Sequence, residues 1–240
     1  MQAVILAGGK GTRLRPFTNV IPKPLMPVGN QPIIEILIRQ LASAGFTELF
    51  VAVGYLHHLI QAFLGDGERF GLKIRYSLED RPLGTAGPLK AIIQDLDETF
   101  LVLNGDLLTT LDFRKMYRTH CENGYDATIA TFNREQKIDF GVLEVDDAGK
   151  LQKYVEKPTY NFRVSMGINA FRKDAVQNIL ERSDSLDIPG LMMEMMDRKA
   201  IINCYHEDCL WLDIGRADDF DRAQDLFEKN KNIFLVNNKA

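Results

Sequence analysis

Apolar residues follow two rhythms along this chain, and the change falls near residue 125. Before it, short strand-like runs at 3–6, 48–53, 73–77 and 100–103 are separated by segments whose apolar positions recur every three or four residues. The runs 3–6, 49–53 and 100–103 are apolar throughout, which suits strands covered on both faces. Between them Ile34, Leu37, Ile38 and Leu41 mark a helix over 33–44, and shorter helices are predicted near 57–64 and 86–94. Strand and helix in alternation predict an α/β fold, a Rossmann-like and mostly parallel sheet flanked by helices. Beyond residue 126 the pattern becomes strand-rich, at 127–132, 141–145, 151–155 and 164–171, with a turn at Asp146–Lys150. Helices near 173–180 and 189–198, strands at 200–205 and 210–214 and a closing helix over 217–229 complete the pattern. No linker, charge block or repeat interrupts residues 1–230, which predicts one domain with halves of about 1–125 and 126–215 and a tail at 231–240.

The first strand runs into Ala7-Gly8-Gly9-Lys10-Gly11-Thr12-Arg13, the strand-then-glycine order of an α/β anion site. Glycines there let successive backbone N–H groups converge on phosphate oxygens. The spacing is not that of a P-loop, because Lys10 precedes Gly11-Thr12. It is a poor dinucleotide fingerprint too, lacking the third glycine and a strand-end acid. Arg13, Arg15 and Lys23, the last held between Pro22 and Pro24, supply the local positive charge that a polyphosphate requires.

Composition narrows the partners. With 29 Lys and Arg against 33 Asp and Glu the net charge is -4, so no global basic field points to nucleic acid or an anionic membrane, and small anions must be held locally. Cys121, Cys204 and Cys209 form neither an even disulfide set nor a C-x-x-C pair. That argues for a reducing compartment. With no signal-like N-terminus and no apolar stretch of membrane-spanning length, it makes a cytoplasmic location the expectation.

Asp106 follows the apolar strand 100–103 in Asn104-Gly105-Asp106, at a strand end where open α/β sheets place their ligands. Asp213, in Trp211-Leu212-Asp213-Ile214-Gly215, is a second carboxylate from a distant segment. Two such groups, completed by triphosphate oxygens and water, would meet the oxygen-only octahedral preference of Mg²⁺. Taken singly, each reads equally well as a turn or capping residue.

The run Gly8-Gly9-Lys10-Gly11-Thr12-Arg13-Leu14-Arg15-Pro16 followed by Lys23-Pro24-Leu25 closely resembles the sugar nucleotidyltransferases, the NDP-sugar pyrophosphorylases. Among these the chain looks most like the short mannose or heptose 1-phosphate guanylyltransferases, and the resemblance covers about residues 1–230. It implies the nucleotide-diphospho-sugar transferase fold, with a nucleotide-binding half before residue 125 and an acceptor-binding half after it. It implies catalysis by Arg13, Lys23 and Lys157, and Mg²⁺ held by Asp106 and Asp213. The nucleotide would lie on Leu6, Ala7, Gly8, Gly9, Gly11, Thr12 and Arg13, with its base at Glu79, Gly84 and Thr85. Glu156 and Lys157 of the E-K-P landmark, with Gly141, Ser165 and Asn169, would bind the sugar phosphate. Ser165 stands where many relatives carry Asn, which puts the acceptor's identity in doubt.

Glu79 leans the base toward guanine, whose N1–H and N2–H₂ a carboxylate accepts together, while UTP, CTP and dTTP remain alternatives. A sugar 1-phosphate is already ionised at neutral pH, so no general base is needed, and the histidines 57, 58, 120 and 206 are read as surface or incidental residues. The rival reading of another class is a catalytically silent homologue that binds nucleotide sugar and regulates a partner. Self-association into dimers or tetramers is left open.

Overall fold

The computed structural model describes residues 1–235. Its elements are β1 (Gln2–Ala7), β2 (Pro27–Val28), β3 (Gln31–Pro32), α1 (Ile33–Ser43), β4 (Glu48–Val53), α2 (His57–Leu64), β5 (Lys73–Leu78), α3 (Gly87–Ile92), β6 (Thr99–Asn104), β7 (Leu107–Thr109) and α4 (Phe113–Glu122). The second half adds β8 (Ala127–Lys137), β9 (Val142–Val145), β10 (Leu151–Val155), β11 (Thr159–Arg172), α5 (Lys173–Arg182), α6 (Ile188–Asp197), β12 (Ile202–His206), β13 (Trp211–Asp213) and α7 (Ala217–Phe234).

Seven strands form one sheet in the order β12-β8-β11-β6-β1-β4-β5. β6, β1, β4 and β5 are parallel, as helical crossovers demand. β11 runs antiparallel to both β6 and β8, while β12 is parallel to β8. The central strands are buried on both faces. Ala3, Ile5, Leu49, Val51, Leu101 and Leu103 face α1, α2 and α4, whereas Val4, Phe50, Phe100 and Val102 face α3, α5 and α6. This two-sided burial explains their unbroken apolar runs. A third cluster packs Ala223, Phe227 and Phe234 of α7 on Ile33 and Ile36 of α1 and on Leu108 and Ile214.

Three features depart from the sequence reading. Helix α4 was not predicted, although Phe113, Met116 and His120 are buried at helical spacing and Asp112 caps it by accepting from Lys115 N at 2.9 Å. Strands β8 and β11 continue past the sheet as an antiparallel arm, Thr159 pairing with Lys137 and Ser165 with Thr131. The arm's Asn133–Lys137 is exposed throughout, with no buried alternation to reveal it. Finally, α7 extends to Phe234, with a break in helical dihedrals at Asn230, so residues 231–234 of the presumed tail are helical. Phe234 is buried there. Residues 236–240 lie outside the described residues.

Candidate active site

β1, β4, β5 and β6 end on one edge of the sheet, and the loop leaving each contributes to a common cleft. The loops after β1 and β6 touch: Gly105 N donates to Leu6 O at 2.9 Å, and a Cβ at position 105 would meet that same oxygen at 2.9 Å. Gly8 lies beside Glu79, whose carboxylate would collide with any side chain at position 8. Gly11 has φ 58° and opens the tight turn Thr12–Leu14, and Thr18 Oγ1 donates to its carbonyl at 2.8 Å. The glycines therefore serve different ends. Gly8 gives room, Gly11 supplies a left-handed conformation, and a Cβ on Gly9 would meet nothing within 4 Å. Ala7 is buried under the loop, while Thr12 and Arg13 are exposed.

Lys23 begins a second tight turn, Lys23–Leu25, whose Pro24 lies 3.5 Å from where a Cβ of Gly105 would stand. Its ammonium pairs with Asp106 Oδ2 and lies 3.7 Å from Asp213 Oδ1. β13 pairs with β7 so that Asp213 stands opposite Leu107, which brings the second carboxylate to the first. Ile214 N reinforces this by donating to Asp106 O at 3.3 Å. Burial, and next the charge of Asp106, raise the carboxyl pKa of Asp213, with Lys23 and Arg13 opposing. Arg13 reaches in from the glycine turn, its guanidinium 3.6 Å from where a Cβ of Gly215 would be.

One oxygen of each carboxylate, Asp106 Oδ1 and Asp213 Oδ1, is buried without a hydrogen-bond partner. Asp213 Oδ1 faces the Lys23 ammonium, but at 3.7 Å, beyond hydrogen-bond reach, and buried acceptors so poorly satisfied are costly unless something fills them. Two anionic oxygens of the same cluster fit a hard, oxygen-seeking cation, with ligands from a polyphosphate and water completing the shell.

Beside this cluster lies a cavity of about 300 Å³ walled by Thr85, Asn104, Ser165, Met166, Gly167, Asn169, Ile188, Pro189, Trp211 and Asp213. Its floor is a bulge. Ser165 pairs with Thr131 but Asn169 pairs with Ile129, so β11 carries two residues more than β8 between those points. Gly167, at φ 74°, makes the bulge, and a Cβ there would stand 2.5 Å from Asn104 Nδ2. Trp211 Nε1 donates to Met166 O at 3.0 Å and fixes the displaced strand. Asn169 is 3% exposed, and its buried Oδ1 has no partner. Gly84, at φ 80°, packs on Leu186 O, and Ile188 N donates to Thr85 Oγ1 at 2.8 Å, tying the 84–85 turn to the start of α6.

Glu79 sits at the end of β5, its Oε1 buried without a partner. Burial raises its pKa, partly offset by the Leu83 N–H. Gly141, Glu156 and Lys157 do not wall the cavity. They stand at the base of the β9–β10 hairpin, where Tyr154 Oη donates to Glu156 Oε2 at 3.0 Å and a Cβ on Gly141 would come 3.2 Å from that oxygen. Among the predicted residues, then, Lys23, Asp106 and Asp213 form one cluster with Arg13 close by. Thr85, Ser165, Asn169 and Asp213 share one cavity, and Gly8 and Glu79 are in contact. Asn104, Met166, Ile188, Pro189 and Trp211 also wall that cavity, though none was singled out from sequence as a ligand-contacting residue. The clearest signal was the isolated Gly167 within a strand pattern, the mark of a bulge. A larger cavity of about 590 Å³ lies at the opposite edge of the sheet, by Thr99, Tyr117 and His120, and touches none of the predicted site residues.

Residues 2–230 match the model of a family described as nucleotidyl transferase. The chain is 36% identical over 242 residues to a UTP–glucose-1-phosphate uridylyltransferase of Synechocystis, an alignment covering 93% of this chain and 62% of that protein. It is 33% identical over 228 residues to a mannose-1-phosphate guanyltransferase of Neurospora crassa, covering 92% and 62%. The chain thus spans about 62% of the length of these curated relatives. Among solved structures, a Bacillus anthracis protein provisionally called a glucose-1-phosphate thymidylyltransferase superposes with a TM-score of 0.77 at 25% identity, covering 94% of both chains.

Proposed function

The chain belongs to the nucleotidyl transferase family, and on that premise we propose that it transfers a nucleoside monophosphate from an NTP to a sugar 1-phosphate, giving a nucleotide sugar and pyrophosphate. The observation that carries this reading is the pair of carboxylates with open buried oxygens, clustered with Lys23 at the strand edge that also bears the glycine loop. Asp106 and Asp213 would hold Mg²⁺, which when bound supplies charge neutralisation at the α-phosphate and the leaving group. The protein's own contribution is binding, orientation and charge.

Backbone N–H groups of residues 8–12 and the Arg13 guanidinium receive the β- and γ-phosphates. A phosphate oxygen of the sugar 1-phosphate attacks the α-phosphorus as the bond from that phosphorus to the oxygen bridging it to the β-phosphorus breaks, and pyrophosphate departs in line carrying that oxygen and the electron pair. The nucleophile is anionic at neutral pH, so no proton has to be removed. Lys23 moves with the charge that gathers on the transferring group. The sugar occupies the cavity floored by the Gly167 bulge, where Asn169, Asn104 and Ser165 offer hydroxyl partners, and Glu156 and Lys157, outside its walls, are the groups that would meet the sugar phosphate.

GTP is the favoured nucleotide, because Glu79, whose Oε2 lies beside Gly8, keeps a buried open acceptor at Oε1, and a carboxylate suits the paired donors of guanine. Mannose or heptose 1-phosphate is the favoured acceptor. UTP is the second reading, supported by likeness to a uridylyltransferase. The test is pyrophosphate release with Mg²⁺ across the common NTPs crossed with glucose, mannose, galactose, N-acetylglucosamine and heptose 1-phosphates. GTP should be used fastest, and Glu79→Gln should move preference toward UTP. Fastest turnover with UTP in the wild-type chain would establish the second reading. Nucleotide-sugar binding without turnover of any pair would establish the silent homologue.

A further inference from the structure

We propose that Lys23 is a built-in counter-ion for the carboxylate pair, which a divalent cation must displace, so that the cation is admitted together with a triphosphate rather than ahead of it. The inference rests on reading Asp106 and Asp213 as the ligands of that cation. The Lys23 ammonium does not reach in from solvent. Its side chain is 12% exposed, it pairs with Asp106 Oδ2, and it stands 3.7 Å from Asp213 Oδ1. A divalent ion bridging the two aspartates would sit within a few ångströms of that ammonium, in a half-buried place where water screens repulsion poorly. Asp106 Oδ1 is free of the ammonium, but Asp213 Oδ1 is shared, and cation and ammonium therefore compete for the space between the two carboxylates.

The surroundings of the Lys23 stem leave the ammonium a second anchor. Pro22, Pro24 and the turn Lys23–Leu25 fix the Lys23 backbone, which leaves the four-carbon stem as the moving part. That stem starts against the glycine loop, since a Cβ on Gly11 would lie 3.3 Å from Lys23 Cβ. Rotation of the stem carries the ammonium from the carboxylates to the loop that would cradle phosphates. A cation arriving alone must expel Lys23 with no anion to receive it. A cation arriving with a triphosphate brings the negative charge on which Lys23 comes to rest, and the exchange is balanced.

The test is Mn²⁺ binding without nucleotide, followed by electron paramagnetic resonance of the free ion, in the wild-type chain, in Lys23→Met and in Lys23→Met with Asp106→Asn. Lys23→Met should bind Mn²⁺ more tightly than wild type by on the order of tenfold or more, and adding Asp106→Asn should abolish the gain. Equal affinity in wild type and Lys23→Met, lost in each background on Asp106→Asn, would overturn the competition and leave the metal site standing. Tightening that ignores Asp106→Asn, or no Mn²⁺ binding in any chain, would remove the metal site and the proposal with it. If Lys23→Met does not fold, the wild-type chain gives the answer by acetylation with an N-hydroxysuccinimide ester, read residue by residue by mass spectrometry. Saturating Mn²⁺ should expose Lys23 and speed its modification several-fold, whereas an unchanged rate contradicts displacement.

Discussion

Replacing Gly167 by Ala isolates what the β11 bulge does for the cavity. The backbone at 167 has φ 74°, a conformation that costs an L-residue about 1–2 kcal/mol. The new methyl would also stand 2.5 Å from Asn104 Nδ2 and 3.0 Å from Cγ, so the Asn104 amide must leave its position. Forcing a side chain off its rotamer adds roughly 0.5–1.5 kcal/mol, for a total of roughly 1.5–3.5 kcal/mol. The two contributions separate cleanly, because the same methyl would be 3.6 Å from Asn104 Cβ, an ordinary contact. In an Asn104→Ala background only the backbone cost should remain, leaving a coupling of roughly 0.5–1.5 kcal/mol between the two positions. Urea unfolding of wild type, both single variants and the double variant measures this coupling. Steady-state kinetics should show the Gly167→Ala KM for sugar 1-phosphate rising several-fold while that for the nucleotide stays nearly constant. A loss of stability below about 0.5 kcal/mol, or one that is the same with and without Asn104, would refute the account of the bulge.

Two further substitutions probe the frame around the site. His120 is buried with its Nδ1 2.9 Å from Thr128 Oγ1, and burial lowers its pKa to about 4. Between that value and the ordinary one near 6.5 the unfolded chain binds a proton that the folded chain refuses, so stability falls as pH falls through this window. The loss should reach about 2 kcal/mol from pH 7 to pH 5, and His120→Leu should lack it, as read from urea midpoints at the two pH values. An equal acid loss in the variant would assign the effect elsewhere. Trp211→Phe keeps the ring packed against Phe132 but removes the Nε1 donor to Met166 O, and should cost about 1–2 kcal/mol while raising the acceptor KM. Unchanged kinetics in that variant would show that the bulge holds its shape without the bond.

The nucleotide half was legible because its central strands are buried on both faces, so that 49–53 and 100–103 read as apolar runs, and because α1 carries Ile34, Leu37, Ile38 and Leu41 at helical spacing. The arm of β8 and β11 was not, since residues such as Arg134, Glu135 and Gln136 are exposed and leave no alternation. Helix α4 hid behind its polar face of Arg114, Lys115 and Arg118. Among site residues, motifs pointed to Lys23, Asp106 and Asp213 one by one, but their meeting depends on the β13–β7 pairing, which spacing alone does not encode. The walls contributed by Ile188 and Pro189 are likewise products of tertiary folding, because α6 reaches the cavity through its contacts with the 84–87 turn. His120, read from sequence as a surface or incidental residue, is instead 1% exposed, because it lies on the buried face of α4, and no pattern of histidines would have revealed that.

The central claim is attack at the α-phosphorus, and the most direct test follows that atom. With the NTP and sugar 1-phosphate that release pyrophosphate fastest, the nucleotide is labelled at its α-phosphate and the products are separated. The account predicts that the label passes into the nucleotide sugar in the presence of Mg²⁺, that pyrophosphate is released unlabelled, and that Asp106→Ala or Asp213→Ala abolishes both. Label retained in a nucleoside diphosphate with release of orthophosphate, or transfer unaffected by either aspartate substitution, would contradict it.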